Sequence, residues 1–404
     1  MKNTRILGGA MLALLASTAY AAAQDQTISF VECGDTLSAV HVATIATWEA
    51  ANPGWKVAPE VVGWGQCQDK VTTLAVAGTP VGLAYIGSRA LKQLASNDLI
   101  VDIPMTDEEK AGYYPYVADT VTFDGKQWGR PVAFSTKALY WNKDLFAAAG
   151  LDPEKPPTTF AEEIADAKAI TEKTDAAGYG LVAKTFDNTM HQFLHWVYSN
   201  DGLVIDADNN IVLDSKQNLE ALTAIKDIVP YSEEGPTAYE QNEVRAIFLD
   251  GKLGMIQAAS GAINLLKDSP FKWGVTTLPQ GPSAKGPGTL LITDSMAVFK
   301  GTGVEEKAID LAKFITNAEN QTAYEAEQGL TPLRPGAAAD AIVAADPNWK
   351  PFFDGIAYGG PEPLLTDYLG LQNVMIEMVQ SVVTGAAEPQ AALTKAAAEL
   401  EQYK

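Results

Sequence analysis

The chain has 404 residues and carries 50 Asp and Glu against 29 Lys and Arg, a net charge of −21 at pH 7. So large an acidic surplus argues against nucleic acid and anionic membrane surfaces as partners. The length suits two packed cores better than one, and 8 Trp, 14 Tyr and 13 Phe are enough to fill two cores and line a cleft.

In chain order, the first feature is a leader. Lys2 and Arg5 precede an uncharged apolar run over 6–15, and Ala19, Ala21 and Ala23 follow at the spacing of a cleavage site. This predicts a secretory signal peptide over 1–23, with the mature chain starting near Gln24; the apolar part is too short to span a bilayer. An uncleaved N-terminal anchor is the alternative. No Cys follows the run, so a lipid-anchored form is not expected. The expected compartment is the periplasm, and the mature protein is expected to be soluble.

Next comes a β-α rhythm. A strand over 28–32 alternates apolar and polar residues. Thr36 caps a helix that reaches about Ala51, where Asn52-Pro53-Gly54 ends it. A strand over 57–64 ends on Trp64. A helix over 68–77 is stopped by Gly78 and Pro80, and a strand over 81–86 leads to a helix over 89–95. Strands alternating with helices predict an α/β fold with a mostly parallel sheet flanked by helices. A second α/β block begins after Tyr140, with helices over 145–149, 160–173, 188–199 and 219–229 and strands over 180–184 and 253–258. The Pro/Gly-rich stretch 278–288 reads as a connection. A strand over 295–299, helices over 304–315 and 320–327, a stop at Gly329, an extended connector over 331–335 and helices over 366–383 and 389–402 complete the chain.

Cys33 and Cys67 are the only cysteines. An even pair in an oxidising compartment makes them a disulfide candidate, with two buried free thiols as the alternative. His191 and His195 share a helical face at i and i+4, but the Glu of a zinc-protease motif and a third ligand are missing, so no metal site is expected. Ala-Ala-Ser260-Gly-Ala is not a nucleophile elbow, and Gly251-Lys252 is not a phosphate-binding loop. Carboxylate pairs are too plentiful to rule out a glycosidase by composition. No covalent catalytic set and no cofactor motif is present in the sequence.

Several ordered landmarks remain. They are Ala77-Gly-Thr-Pro80, Trp128-Gly-Arg-Pro-Val-Ala-Phe-Ser-Thr136, Leu139-Tyr-Trp-Asn-Lys-Asp-Leu-Phe146, Ala149-Gly-Leu-Asp-Pro153 with Pro156-Pro157-Thr158, Phe248-Leu-Asp-Gly-Lys-Leu-Gly-Met255, Leu278-Pro-Gln-Gly-Pro282, and 314–321 leading to Gly329-Leu-Thr-Pro332. Each is weak alone. Together, across residues 24–404, the chain resembles the family 1 extracellular solute-binding proteins, the group that includes the maltose-binding protein. It departs from the family at Val81, where Asp is frequent, and at Trp141, where Tyr is common.

The resemblance implies a two-lobed periplasmic binding-protein fold of type II, with three inter-lobe crossings near 133–136, 277–280 and 331–335. The expected lobes are 24–134 plus 280–332 and 135–279 plus 333–404. It also implies a non-enzymatic, monomeric protein that captures a sugar or sugar derivative between hinged lobes and delivers it to the membrane permease of an ABC transporter. A carbohydrate-active enzyme, a binding protein for an anionic sugar or glycerol phosphate, and a protein feeding a sensor are the other readings. Aromatic rings suit the apolar faces of a sugar, and planar polar groups suit pairs of its hydroxyls. Loops at the carboxyl ends of strands are where such groups are sought. The ligand-binding candidates are therefore Asp35, His41, Trp64, Gln66, Tyr85, Ser88 and Ser135 on one side. On the other they are Trp196, Ser260, Gly261, Trp273, Arg334 and Tyr368, with His191 beside them. Several have bland alternatives: Trp64 as a core ring, His41 as a satisfied helix-face residue, Asp35 as a helix cap and Arg334 as an inter-lobe ion pair.

Overall fold

The computed structural model describes residues 26–403; the expected signal peptide over 1–23 lies outside them. Two sheets organise the chain. The first has seven strands along the order Gly360–Pro361, Leu290–Phe299, Leu83–Gly87, Gln26–Cys33 and Trp55–Val62, with Arg130–Ser135 and Ile100–Val101 also paired to Leu290–Phe299. The second has four, in the order Trp273–Thr276, Lys137–Asn142, Leu253–Ala259 and Ala177–Gly180. Each sheet sits between its own apolar clusters. Phe30, Trp48, Phe134 and Phe299 fill those of the first body, and Phe146, Phe193, Trp196 and Phe248 fill those of the second.

The sheets are mixed, not mostly parallel. Strands joined by helical crossovers are parallel: Gln26–Cys33 with Trp55–Val62 and with Leu83–Gly87, and Ala177–Gly180 with Leu253–Ala259. The strands that carry the chain between bodies run the other way. Leu290–Phe299 is antiparallel to Leu83–Gly87 and Arg130–Ser135, and Lys137–Asn142 is antiparallel to Leu253–Ala259 and Trp273–Thr276. A segment arriving from the neighbouring body enters its new sheet at the opposite end, and its direction is reversed.

The chain changes body at Thr136, between Arg130–Ser135 in the first sheet and Lys137–Asn142 in the second. The 280–289 segment stays on the second body: Gly281 N–H donates to Ser199 O at 3.0 Å and Ser283 N–H to Asn200 Oδ1 at 2.8 Å. Leu290 is buried in the second core and Leu291 in the first. Leu333 is buried in the first core, and its carbonyl accepts from Tyr114 N–H at 3.1 Å. Phe352 lies back in the second core, and Gly360–Pro361 returns to pair with Leu290 and Leu291.

Local differences from the sequence reading have local causes. The strand Trp55–Val62 stops before Gly63, so Trp64 opens the helix Trp64–Val76 and does not end a strand. Ser38, not Thr36, caps the helix Ala39–Ala51, its Oγ accepting from His41 N–H at 3.1 Å. The strand expected over 180–184 ends at Gly180. Side chains capture the next two backbone donors, Leu181 N–H going to Glu233 Oε2 at 2.9 Å and Val182 N–H to Gln192 Oε1. Cys33 and Cys67 are bridged, with Cα atoms 5.5 Å apart, which ties the end of one strand to the first turn of the helix Trp64–Val76.

Candidate functional site

Between the two bodies lies a cavity of about 410 Å³, within the range that holds small ligands. The first body contributes the loop Gly34, Asp35 and Thr36, which follows the strand Gln26–Cys33, together with Trp64 and Tyr85. The turn after Leu83–Gly87 adds Arg89, the strand Leu290–Phe299 adds Asp294, and the helix Ala318–Gln328 adds Tyr324 and Gln328. The second body contributes Phe186, Asp187, Asn188 and His191 from the start of the helix Asp187–Tyr198, and Glu240, Gln241, Asn242 and Arg245 from the start of Gln241–Leu249. Lys137, Ala259 and Gly261 complete that wall, and Ser135 and Ile292 lie where the chain crosses. The cavity thus sits at strand ends and helix starts, where an α/β sheet leaves a crevice.

Four rings pack on the first wall. Trp64 and Tyr85 meet edge to face at 5.6 Å, Tyr324 lies edge-on to Tyr85 at 6.3 Å, and His41 stacks on Tyr324 at 4.2 Å. Phe186 reaches over from the second body; a Cβ on Gly65 would be 3.9 Å from its ring.

Charge is concentrated at the inner end. Arg89, 5 % exposed, donates to Asp187 Oδ2 at 2.8 Å and lies 3.5 Å from Asp294 Oδ1 and 3.6 Å from Glu362 Oε2. Glu362 also binds His191 Nε2 and accepts from Tyr368 OH at 3.2 Å. Asp294 Oδ2 accepts from Tyr85 OH at 3.3 Å. Burial raises the Asp294 carboxyl to about 7 against the pull of Arg89. For Glu362 burial pushes upward as well, but Arg89 and His191 outweigh it and hold its carboxyl below the ordinary range. Burial brings the Lys137 ammonium down to about 8. Among the described residues Arg89 Nε and Nη1 and Asp294 Oδ1 are buried with no hydrogen-bond partner, so donors and an acceptor remain to be satisfied at this end of the cavity.

The sequence candidates divide. Asp35, Trp64, Tyr85, Ser135, Gly261 and His191 line the cavity. His41 stands behind it, its Nδ1 bound to Glu32 Oε2 at 2.9 Å. Ser88 is buried against Ser295 Oγ at 2.7 Å, and Tyr368 is buried on Glu362. Ser260 donates to Gly329 O at 2.7 Å, a contact between bodies. Gln66 is exposed and stands apart from the residues that line the cavity. Three candidates are corrected in place. Trp196 is fully buried in the second core against Phe160, because it points from the inward face of its helix. Trp273 packs on Tyr140 and donates to Leu266 O at 3.0 Å, at the far edge of the second sheet. Arg334 stacks over Tyr113 at 4.2 Å and donates to Thr316 O at 3.2 Å, which keeps it on the first body.

Sequence reasoning missed Arg89, Lys137, Asp187, Asp294, Tyr324 and the group Glu240 to Arg245. Arg89 stands one residue beyond the candidate Ser88. The helix Gln241–Leu249 had no element assigned to it, because Glu243 and Arg245 interrupt its apolar spacing.

A model of the bacterial extracellular solute-binding proteins matches residues 43–351. A Brucella abortus protein described only as a binding protein is 28 % identical over 362 residues, 88 % of this chain and 87 % of that one. The sn-glycerol-3-phosphate-binding periplasmic protein UgpB of Salmonella typhimurium is 29 % identical over 320 residues, 71 % of this chain and 68 % of its own. Among solved structures, an ABC transporter solute-binding protein of Thermotoga lettingae bound with alpha-D-tagatose superposes with a TM-score of 0.82 at 23 % identity, covering 94 % of this chain and 99 % of that one. The chain belongs to the bacterial extracellular solute-binding proteins.

Proposed function

We propose that this member of the extracellular solute-binding family captures a sugar or sugar derivative in the inter-body cavity and presents it to the permease of an ABC transporter. The observation that carries the reading is the cavity itself. Aromatic faces from Trp64, Tyr85 and Phe186 converge with amides and carboxylates from Asn188, Gln241, Asn242 and Asp35 in one space. That combination matches a ligand with apolar C–H faces and a rim of hydroxyls. The tagatose-bound structural relative supports it, and the glycerol-phosphate relative supports a small polyol ligand of related shape. We read the lobes as 26–135 plus 291–335 and 137–289 plus 336–403, with Gly360–Pro361 of the last span pairing back to the first sheet at Leu290 and Leu291, and the second crossing lying later than the sequence suggests. The protein acts as an exported monomer and performs no chemistry on its ligand.

A thermal-shift panel of neutral sugars, polyols, sugar acids and glycerol 3-phosphate tests the reading. A true ligand at a hundred times its Kd adds about 2.7 kcal/mol of stability. Trp64→Ala weakens binding by roughly 1.5–3 kcal/mol if the ring covers a sugar face. A melt unmoved by every sugar and polyol removes the carbohydrate reading.

A further inference from the structure

We propose that Lys137 and Arg245 form a carboxylate-binding subsite in this cavity, so that the ligand is a sugar acid and not its neutral parent. The inference rests on the sugar-binding reading above. Lys137 opens the strand Lys137–Asn142 and is 5 % exposed. Arg245 follows Gln241 by one turn of the helix Gln241–Leu249, so both project from the same face. Lys137 Nζ donates to Gln241 Oε1 at 2.6 Å, which places the ammonium on that face as well. All three line the cavity.

Among the described residues neither cation has an ion-pair partner. Arg89, the other cation of the cavity, faces Asp187, Asp294 and Glu362. The carboxylates whose fields reach Lys137 are Asp187 and Glu240. Asp187 is committed to Arg89, and Glu240 forms a capping box with Glu243 and accepts from Asn188 Nδ2 at 3.3 Å. Burial and the like charge of Arg245 bring Lys137 to about 8, so it is still protonated at neutral pH. A buried ammonium beside a second cation, with no counter-ion of its own, is costly unless something supplies the negative charge. A ligand carboxylate does so, and its planar pair of oxygens matches the fork of a guanidinium. A phosphate monoester would bring close to two charges into a space also lined by Glu32, Asp35 and Asp294. A carboxylate brings one.

The test is titration calorimetry of the whole protein with D-glucuronate, D-galacturonate and D-gluconate against D-glucose and D-galactose, with glycerol 3-phosphate as a further arm. The expected result is an acid bound about tenfold or more tighter than its neutral parent. In Arg245→Ala, and in Lys137→Met where it folds, the ratio of the two Kd values falls toward one. In the unsubstituted protein added salt erodes the acid's advantage, an arm that needs no variant. Equal affinities for acid and parent, a ratio unchanged in Arg245→Ala, or binding of the phosphate ester alone would overturn the subsite. If no sugar of either kind binds, the sugar-binding reading falls and takes this one with it.

Discussion

Arg89 shows how much of the site depends on single side chains. Its guanidinium is buried among Asp187, Asp294 and Glu362. Replacing it by Met leaves those carboxylates without their cation, and removing one partner of a buried pair costs about 3–5 kcal/mol. Denaturant unfolding at pH 8 measures it; a loss below about 1 kcal/mol would mean that the pairs behave as surface contacts. Asp294 gives this cluster a pH dependence of known sign. Its carboxyl is raised to about 7 in the fold, above its unfolded value. The folded state therefore holds a proton that the unfolded state releases. The resulting stability is present below the unfolded value and is lost as pH rises through 7. Asp294→Asn removes that slope. From pH 5 to pH 8 the unsubstituted protein is expected to lose stability relative to the variant by about 2 kcal/mol. Parallel pH profiles would show that Asp294 is already ionised at pH 5. None of this was legible in the sequence, where Arg89 reads as the first residue of a helix and Asp294 as one acid among many. A buried cluster is a property of four distant segments meeting.

At the scale of elements the sequence was more informative where periodicity and caps agreed. The helix Phe160–Lys173 was expected over the same residues, and in the fold Thr159 and Glu162 form a capping box while Phe160, Ala167 and Ile170 are buried along one face. Gly329 ends the helix Ala318–Gln328 in the left-handed conformation, φ 65°, that its Gly suggested. The strands Arg130–Ser135 and Lys137–Asn142 were not recognised as a pair. Nearly every residue in both is buried, so neither alternates, and the chain changes sheets between them. Trp196 and Trp273 misled for a related reason: a Trp that stacks on a ligand and one that fills a core have the same local sequence. The disulfide is the element-scale feature with the clearest consequence. It holds the loop Gly34 to Thr36 against the helix that begins at Trp64, and both of these line the cavity. Its sequence separation is 34, so cross-linking constrains the unfolded chain by roughly 3–4 kcal/mol. Replacing both cysteines by Ala is expected to lower the unfolding free energy by that order and to weaken sugar binding, since Asp35 and Trp64 lose their common anchor. Undiminished affinity in a destabilised variant would restrict the bridge to folding.

At the scale of the molecule the question is what holds the bodies at this closure. The chain crosses between them at Thr136, at Leu290 and again between Leu333 and Phe352, while Arg89 of one body grips Asp187 of the other at 2.8 Å and Ser260 of the second donates to Gly329 O of the first at 2.7 Å. The backbone crossings are compatible with rotation; the side-chain contacts resist it. Opening would expose Arg89, and hydration would then return part of what the lost pair had supplied, so the open and closed forms can differ by only a few kcal/mol. A ligand touching both walls adds contacts in the closed form alone. To move the population from mostly open to mostly closed it must prefer the closed form by about 5.5 kcal/mol, which is within reach of several hydrogen bonds and one stacked ring. Small-angle scattering is then expected to show a smaller radius of gyration with saturating ligand than without. Asp187→Asn, which keeps a hydrogen-bond acceptor and removes the charge, is expected to enlarge the unliganded particle, because the contact it weakens is made across the cleft. Identical scattering with and without ligand, in both proteins, would mean that the cavity fills without rotation of the bodies, and the ligand would then have to enter past Phe186 and Trp64 by side-chain movement alone.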